Sequence, residues 1–447
     1  MGWVQQELGG VELGDVRRKK RLIQLTESLA AQPTGSIPLA SQGWNETKAA
    51  YRLLENPALE WREILDSHIT CTEERIRAQA SPVVLCIQDT TELDFSSQPG
   101  IAGLGRLNYD ARQGMYVHPT LVTTPEGAVL GVTDAWMWAR KPKDEADIKE
   151  SIRWTEGYER VAEMAERVSG SRLVYLTDRE GDLRELMNKA HELGYPADFL
   201  VRAKHNRCLE DGGKLWDTVE SGTPLGEIEF MLPADGNRSA RKVRQTLYLQ
   251  RLTLPTHASA PSLEVTALSA REEIPPPGEK PLVWRLLTNR DAQTLEDAVE
   301  LIEWYRRRWL IEIFFRILKS GCRVESLQLS TLERLERALV IYMIIAWRIL
   351  HVVTWGKECP DLPCDVVFDT EEWQAAWIVE ERSKPPAVPP KLGDMVKLIA
   401  GFGGWLGRKR DHPPGPKAIW EGMEKVRHYA VGIEVGRAVY AGSGSCG

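Results

Sequence analysis

Three acidic residues of the sequence stand where a carboxylate could take part in catalysis. The apolar runs VVLCIQ and LVYLT are each followed by an aspartate, Asp89 and Asp178, and Glu312 lies in an apolar stretch that predicts a helix. A strand that ends in a carboxylate presents it at the edge of a sheet, where substrate clefts usually open. Either aspartate alone would also fit a turn or a helix N-cap. Three carboxylates without His or Cys ligands suit a pair of Mg²⁺ or Mn²⁺ ions, which favour oxygen ligands.

Polar residues recur on one side of the predicted helix around Glu312. In YRRRWLIEIFFRILKSG, residues 305–321, a rotation of about 100° per residue places four polar residues within an arc of about 60°: Tyr305, Arg308, Glu312 and Lys319. The other residues are mostly apolar, which predicts burial on the remaining sides. A carboxylate between two cations and a phenol suits a bound metal ion or phosphate. An amphipathic helix with one solvated face would show the same pattern.

The surrounding segments predict the elements that position these residues. Residues 1 to about 75 have helical periodicity, and from residue 82 short β-branched runs alternate with helical segments. The order Asp, Asp, Glu on strand, strand and helix points to an α/β, RNase H-like core, with a β-rich insertion at about 206–280. Thr294 and Asp297 predict a capping box, and Gly321 the end of the helix. We therefore expect an N-terminal helical domain at 1–75, a catalytic domain at 76–370 and a C-terminal helical region at 371–447.

Composition narrows the class of protein. The 447 residues carry 57 Lys and Arg against 64 Asp and Glu, a net charge of −7, yet basic islands such as RRKKR at 17–21 interrupt the acidic background, as a phosphate-binding surface could. The seven Cys lack C-x-x-C spacing, which argues against a disulfide framework or a structural zinc site. No stretch approaches the roughly 18 uncharged apolar residues of a membrane span. We expect a cytoplasmic protein without a membrane partner.

The sequence resembles the bacterial cut-and-paste transposases of the insertion-sequence-4 family over nearly its whole length. The resemblance rests on DTT at 89–91, TDREGD at 177–182 and the family signature Y-x2-R-x3-E-x6-K from Tyr305 to Lys319. LGDVRRKKRL, KAAYRLLENP and VRAKH are further family-like segments. The chain departs from the family pattern at Asn206, where a relative within the family has Pro. The resemblance implies a metal-dependent DNA transposase.

The same resemblance implies a role for each matching residue. Asp89, Asp178 and Glu312 would bind two Mg²⁺ ions, for which Mn²⁺ would substitute. Four groups of residues would contact DNA: Tyr305, Arg308 and Lys319 on phosphates near the metals; Trp284 stacked on a flipped base; Arg202 and Lys204 beside the active site; and Arg17, Arg18, Lys19, Lys20 and Arg21 near the terminal repeats. For Trp284 the alternative is a core aromatic residue, since the sequence has 16 Trp.

The implied reaction has four steps. Water cuts one strand at the element's boundary, the freed 3′-hydroxyl attacks the opposite strand to form a hairpin, water reopens the hairpin, and the 3′ ends attack target DNA. The partners would be double-stranded DNA, as element ends and as target, and a second copy of the chain, so that the protein is a homodimer on DNA. The C-terminal helices would supply the dimer contacts.

Three other functions are compatible with parts of the sequence. A regulatory or domesticated relative would pair element ends without cutting them, but three carboxylates that repel one another serve no purpose without metal. A glycoside hydrolase would use two of the carboxylates, but that function leaves the basic residues unexplained. A metal-dependent nuclease without strand transfer shares the same site chemistry and is the hardest alternative to separate.

Overall fold

The computed structural model of the chain describes residues 2–41, 43–109, 111–142, 145, 149–232, 240–256, 261–408 and 412–441. The N-terminal part is helical, as predicted. Its helices are α1 (Trp3–Leu8), α2 (Val16–Ala31), α3 (Ile37–Ala40), α4 (Trp44–Glu55) and α5 (Trp61–Gln79). The side chain of Asp15 caps α2 by accepting a hydrogen bond from the backbone N–H of Arg17 at 2.7 Å.

The central part alternates strands and helices. Its first elements are β1 (Val83–Gln88), β2 (Thr91–Asp94), β3 (Gly105–Arg106), β4 (Gln113–Thr123), β5 (Val129–Trp138), α6 (Ile152–Arg167), β6 (Arg172–Thr177), α7 (Arg184–Glu192) and β7 (Asp198–Arg202). The predicted β-rich insertion follows with α8 (Leu215–Glu220), β8 (Gly226–Leu232), β9 (Arg241–Leu254) and β10 (Leu263–Arg271), and then come β11 (Val283–Thr288), α9 (Leu295–Arg307) and α10 (Trp309–Arg316). The C-terminal helices are α11 (Leu332–Glu358), α12 (Thr370–Glu381), α13 (Leu392–Phe402) and α14 (Pro416–Ala441).

The chain divides into two compact units. The first consists of Met1–Arg75, Thr90–Asp147 and Leu310–Gly447, and the second of Ile76–Asp89 and Ile148–Trp309.

In the second unit, the strands form a sheet in the order β1-β6-β7-β11-β10-β9-β8. The first three strands are parallel, and β11, β10, β9 and β8 continue the sheet with antiparallel pairing. β1 and β6 are buried almost throughout, as their apolar runs predict. Helix α6 packs closely on β1, because a Cβ atom at Gly157 would collide with the side-chain amide of Gln88.

In the first unit, β2, β3 and β5 each pair with β4 in antiparallel fashion. A buried polar network ties α1 to α5: His68 Nδ1 lies 2.6 Å from Glu7 Oε2, and Arg75 Nη1 lies 2.5 Å from Glu7 Oε1. The backbone N–H of Val132 donates to His68 Nε2 at 3.1 Å, so β5 joins the network. His68 is therefore the Nδ1–H tautomer, which donates to Glu7. Trp347 of α11 packs against the His68 ring, and the Arg75 guanidinium lies 4.4 Å from the Trp347 ring centre.

Helix α11 is the element that bears on the expectation about membrane spans. Among the described residues it is the one helix long and apolar enough to cross a membrane by length and composition, although 94% of its most apolar window is buried. Such burial is typical of a core helix, and the polar side chains of Arg348, His351 and Thr354 within it are buried with it.

The stretch 305–321 is not one regular helix, contrary to the prediction. α9 ends at Arg307, α10 begins at Trp309, and the last turn, Ile317–Gly321, is π-helical. The backbone N–H of Cys322 bonds to the carbonyl of Ile317 at 2.8 Å, which is the i→i+5 spacing of a π turn. The predicted arc assumed a uniform rotation per residue, so it does not describe the position of Lys319.

The start of α9 agrees with the sequence. The Thr294 hydroxyl accepts from the backbone N–H of Asp297 at 3.2 Å, and the Asp297 carboxylate accepts from the backbone N–H of Thr294 at 2.9 Å. This is the predicted capping box, and it satisfies backbone donors that the first helical turn would otherwise leave open.

Candidate active site and nucleic-acid interface

Asp89 and Asp178 follow neighbouring parallel strands at the same offset. Ile87 of β1 pairs with Leu176 of β6, and each aspartate comes two residues after its paired position. The carboxyl ends of parallel strands meet at one edge of a sheet, which is where ligands of α/β folds bind. The Asp178 carboxylate also accepts from the backbone N–H of Glu180 at 2.7 Å and so caps a short 3₁₀ turn, Arg179–Gly181. Asp178 therefore combines the turn role with its place at the strand edge.

Arg308 lies against the first of these aspartates. Its Nη1 atom is 2.5 Å from Oδ2 of Asp89, and the two side chains are only 14% and 15% exposed. A charge-assisted hydrogen bond at this distance is strong, because little water screens it. The structure thus brings together two residues that the sequence linked only through the resemblance.

Tyr305 is 6% exposed, and its O–H has no acceptor of normal hydrogen-bond geometry among the described residues, although the Arg202 side chain lies close to its oxygen. Burial raises the pKa of Tyr305, although the cationic Arg308 and Arg202 nearby act in the opposite direction. The phenol therefore stays protonated at neutral pH and keeps its O–H as a donor. A buried donor without an acceptor is costly in a folded protein unless a ligand completes it.

Glu312 and Lys319 belong to the first unit. Glu312 lies in the first turn of α10, and Lys319 lies in the π turn, with Nζ 4.0 Å from Oε1 of Glu325. Glu325 in turn accepts from the backbone N–H of Asp94 at 2.9 Å. Lys319 is 31% exposed, so its ammonium group remains accessible to an anion.

The carboxylates suit a divalent metal in type, since Asp and Glu oxygens are the ligands that Mg²⁺ and Mn²⁺ favour. In the part of the chain that the structure describes, no three His, Cys, Asp or Glu side chains are grouped so that they could hold a metal ion. The Arg308 guanidinium contacts Asp89 in this structure.

The segment after β7 carries Arg202 and Lys204, and a buried aspartate shapes it. Asp182, 1% exposed, accepts from the backbone N–H of Lys204 at 2.7 Å and of His205 at 2.9 Å, and it pairs with Arg207 at 2.6 Å. Asp182 is the last residue of the TDREGD motif, and the sequence alone indicates no role for it. Its structural role is to fix the backbone that presents Lys204.

Asn206, the position that departs from the family pattern, organises the end of the same segment. Its side-chain oxygen accepts from the backbone N–H of Trp216 at 2.9 Å, and its side-chain nitrogen donates to Asp217 at 3.1 Å. Proline would make neither bond. The asparagine therefore holds this segment to the start of α8 through its side chain.

Trp284 lies on β11, half-buried, and packs on another aromatic ring. The ring centres of Trp284 and Phe230 are 5.6 Å apart and their planes differ by 15°. Sequence periodicity gave no reason to select Phe230, because β9 and β10 separate its strand from that of Trp284.

The basic run of α2 divides into two groups. Arg18 and Lys19 are half-buried and donate to backbone carbonyls, Arg18 to Leu13 and Ala58 and Lys19 to Gly9. The other three side chains are exposed: Arg17, Lys20 and Arg21. The sequence-based prediction gave all five residues the same DNA-binding role, whereas Arg18 and Lys19 stabilise the N-terminal helices through these hydrogen bonds.

Comparison with protein families adds to this geometry. Residues 142–348 match the family model described as transposase DDE domain, residues 1–59 that of transposase DNA-binding, and residues 344–445 that of the Tn5 transposase dimerisation domain. The α/β, RNase H-like class predicted from the sequence is thereby confirmed. Together the three matches are those of a Tn5-like DDE transposase, and the predicted insertion-sequence-4 family is consistent with all three.

A similar solved structure is described as the cryo-EM structure of piggyBac transposase synaptic complex with hairpin DNA. It is 12% identical to this chain with a TM-score of 0.35, and the match covers 68% of this chain and 53% of that one. The chain thus spans about half the length of this solved chain.

Proposed function

We propose that the protein is a metal-dependent DNA transposase that cuts an insertion element out of DNA at its terminal repeats and joins the 3′ ends to target DNA. The observation that carries the proposal is the register of two strands. Asp89 and Asp178 follow adjacent parallel strands at equal offset, in a chain whose residues 142–348 match a transposase DDE domain. Acidic residues at one strand edge suit phosphoryl transfer, which depends on charge neutralisation at phosphorus.

The metals would be two Mg²⁺ ions, replaceable by Mn²⁺, held by Asp89, Asp178 and Glu312. When bound, such ions activate the attacking oxygen and stabilise the leaving oxygen of a phosphodiester. The three side chains supply oxygen ligands alone, which fits these hard cations. A relative that only pairs DNA ends gains nothing from keeping all three carboxylates.

Tyr305, Arg308 and Lys319 would hold phosphates of the element's end. Support comes from the Tyr305 O–H, which has no acceptor of normal geometry among the described residues, the guanidinium of Arg308 beside Asp89 and the accessible ammonium of Lys319. These donors would orient the scissile phosphate and offset its charge. Arg202 and Lys204 would extend the contact from the segment that Asp182 fixes.

The DNA would pass through a hairpin intermediate, with Trp284 stacked on a base flipped out of the duplex. Extruding a base relieves the strain of closing a hairpin at the strand end, and an indole ring offers the extruded base a stacking partner. The half-buried position of Trp284 on β11 is compatible with this role.

The same proposal assigns the regions of the chain. Residues 1–75 would read the terminal repeats, with Arg17, Lys20 and Arg21 as exposed phosphate contacts, and residues 76–370 would carry the catalytic core. Residues 371–447, of which 409–411 and 442–447 lie outside the described residues, would form a homodimer on DNA. The protein would work in the bacterial cytoplasm, at the nucleoid when bound to DNA.

Cleavage of a labelled duplex that carries the element's own terminal sequence tests the proposal. The reaction is run with Mg²⁺ or with EDTA, on wild type, Glu312→Ala, Glu312→Gln and Glu300→Ala, where Glu300 is an exposed carboxylate on α9. We expect metal-dependent nicking followed by a hairpin product in wild type and Glu300→Ala. Both Glu312 variants should bind the duplex but leave it intact.

Other outcomes identify the competing functions. Nicking without hairpin formation or joining to a target plasmid would identify a nuclease without strand transfer. Specific binding without cleavage in either Mg²⁺ or Mn²⁺ would identify an end-binding protein. Equal cleavage by wild type and both Glu312 variants would contradict the assignment of that residue.

A further inference from the structure

The ring of Phe230 covers part of the Trp284 indole. A separation of 5.6 Å between the ring centres with an angle of 15° describes an offset stack, because parallel rings in contact are about 3.5 Å apart. The two residues share one face of the sheet. Trp284 of β11 pairs with Ala270 of β10, which pairs with Leu247 of β9. Phe230 of β8 pairs with Val243, which also lies on β9. Val243 and Leu247 are four residues apart, an even number, so their side chains point to the same face.

Phe230 is placed so that it can move. Its strand β8 lies at the end of the sheet order, and the residues of β8 alternate between exposed and half-buried, with none fully buried. On another side, the guanidinium of Arg306 lies 5.7 Å from the Phe230 ring centre, while the same guanidinium pairs with Glu303 at 2.5 Å. Phe230 therefore contacts Trp284 on β11 and Arg306, the residue that follows Tyr305.

We propose that Phe230 occupies, in the DNA-free protein, the stacking position that the flipped base takes on Trp284, and that the base enters by displacing it. This inference rests on the proposed function, specifically on the base-stacking role of Trp284. It makes Phe230 a specificity-determining residue: a nucleobase is accepted only when its stacking on the indole outweighs that of a phenyl ring.

Replacing the Phe230 ring by a nucleobase on the Trp284 indole should change the free energy of stacking only slightly. An aromatic pair stabilises modestly beyond the area that it buries, and stacking of a nucleobase on an aromatic side chain is of similar or greater strength. The half-buried Phe230 can turn away at the edge of the sheet without opening a core. The covered indole is also shielded from water until DNA binds, which avoids an exposed apolar surface on the free protein.

Fluorine NMR of protein labelled with 5-fluorotryptophan tests the DNA-free half of the inference. The Trp284 resonance is assigned by its absence in Trp284→Phe. Phe230→Ala should shift this resonance and increase the change in its chemical shift between H₂O and D₂O, which reports solvent exposure of the ring. Met231→Ala should leave the resonance in place. Met231 is 63% exposed on the same strand and serves as the matched control for changes in β8. A Trp284 resonance that is identical in wild type and Phe230→Ala would overturn the inference.

Binding to the terminal duplex tests the exchange. Phe230→Ala should bind the intact duplex about two- to tenfold more tightly than wild type, because no phenyl ring has to leave, and should bind a duplex that is abasic at the boundary position with unchanged affinity. Phe230→Leu, which keeps apolar volume without a flat ring, should behave in the same direction and guards against misfolding of the alanine variant.

Two results separate failure of this inference from failure of the role on which it rests. If the duplex shifts the wild-type Trp284 resonance but Phe230→Ala and Phe230→Leu bind no more tightly, Phe230 is not a competitor, and only the present inference is overturned. If the duplex binds wild type without shifting the Trp284 resonance, the stacking role of Trp284 is contradicted, and the present inference is overturned with it.

Discussion

The Nη1 atom of Arg308 lies 2.5 Å from Oδ2 of Asp89, and the side chains of these two residues are each about one-seventh exposed. A guanidinium and a divalent ion both bind carboxylate oxygens, so they compete for Asp89 and each weakens the binding of the other. A DNA phosphate would offer Arg308 a second anionic partner. We therefore expect metal affinity at Asp89 to depend on whether DNA is bound.

Replacing Arg308 by Ala should separate metal binding from catalysis. Without the guanidinium, the DNA-free protein should bind Mn²⁺ about tenfold more tightly, and cleavage of the terminal duplex should fall by about 100-fold as a phosphate contact is lost. Electron paramagnetic resonance of Mn²⁺ measures the first effect and a gel assay the second. Arg316→Ala, which removes an exposed cation from α10, should change neither. Weaker Mn²⁺ binding by Arg308→Ala would show that Arg308 supports the metal site.

Replacing Tyr305 by Phe should reduce activity without reducing stability. The lost O–H has no acceptor of normal geometry among the described residues, so the free energy of unfolding should stay the same or rise by up to about 1 kcal/mol. Affinity for the terminal duplex should fall about tenfold if the hydroxyl donates to a phosphate. Tyr342→Phe on α11 is the matched control, since it removes another buried hydroxyl that is unpaired within the described residues. Equal duplex affinity of the two variants would argue against a phosphate contact.

The basic run of α2 should respond to mutation in two ways. Arg17→Ala and Arg21→Ala remove exposed charges, so they should weaken duplex binding and lower the slope of log K against log salt by about one each, with no change in melting temperature. Arg18→Ala should instead lower the melting temperature, because the carbonyls of Leu13 and Ala58 lose their donor. Titrations at several salt concentrations and thermal melts test this division. A salt slope that changes most in Arg18→Ala would contradict it.

The buried network of Glu7, His68 and Arg75 should make the protein sensitive to acid. Burial alone would raise the pKa of Glu7, but His68 and Arg75 outweigh it and lower the pKa to about 2 from 4.5. Burial lowers the pKa of His68. Both groups bind more protons when unfolded, so their stabilisation is complete above about pH 6.5 and is lost as pH falls, first through His68 and then, below about 4.5, through Glu7.

Glu7→Gln tests this network. The variant should lose about 2–4 kcal/mol of unfolding free energy at pH 7, because the charge that balances Arg75 is gone, and the difference from wild type should shrink as pH falls below 4.5. Urea unfolding at pH 7, 5 and 3.5 provides the comparison. Glu12→Gln, at an exposed position close by, should match wild type at each pH. A difference that stays constant with pH would mean that the Glu7 charge is not the stabilising element.

The strand edge that carries Asp89 and Asp178 is predictable from the sequence because its signal is local. A buried strand of six residues reads as an apolar run, and the polar residue that ends it is visible in the sequence, as at Asp89 and Asp178. The parallel pairing of β1 and β6 is not local in this sense, because β2 to β5 and α6 lie between them. The capping box of Thr294 is local, as the strand ends are. Short-range patterns therefore predicted the core and two of its carboxylates.

The features that sequence reasoning missed depend on residues far apart in the chain. Arg18 is structural because Ala58, forty residues on, needs a donor, and Phe230 meets Trp284 across two intervening strands. The π turn likewise has a tertiary contact: a Cβ atom at Gly321 would be 3.0 Å from the Trp420 ring. No periodicity within a short window reports such contacts.

The π turn also has a consequence for how this gene can vary. A π turn is a helix that holds one residue more than the regular hydrogen-bond pattern needs. Deleting one codon from 317–321 would let the helix close with ordinary i→i+4 bonds, yet every later side chain would turn by about 100° relative to α10, and the glycine that faces Trp420 would be displaced. Point substitutions at the exposed position in this turn, Ser320, should be tolerated far better than such a deletion. The six residues between Glu312 and Lys319 are thus inherited as a fixed number of codons.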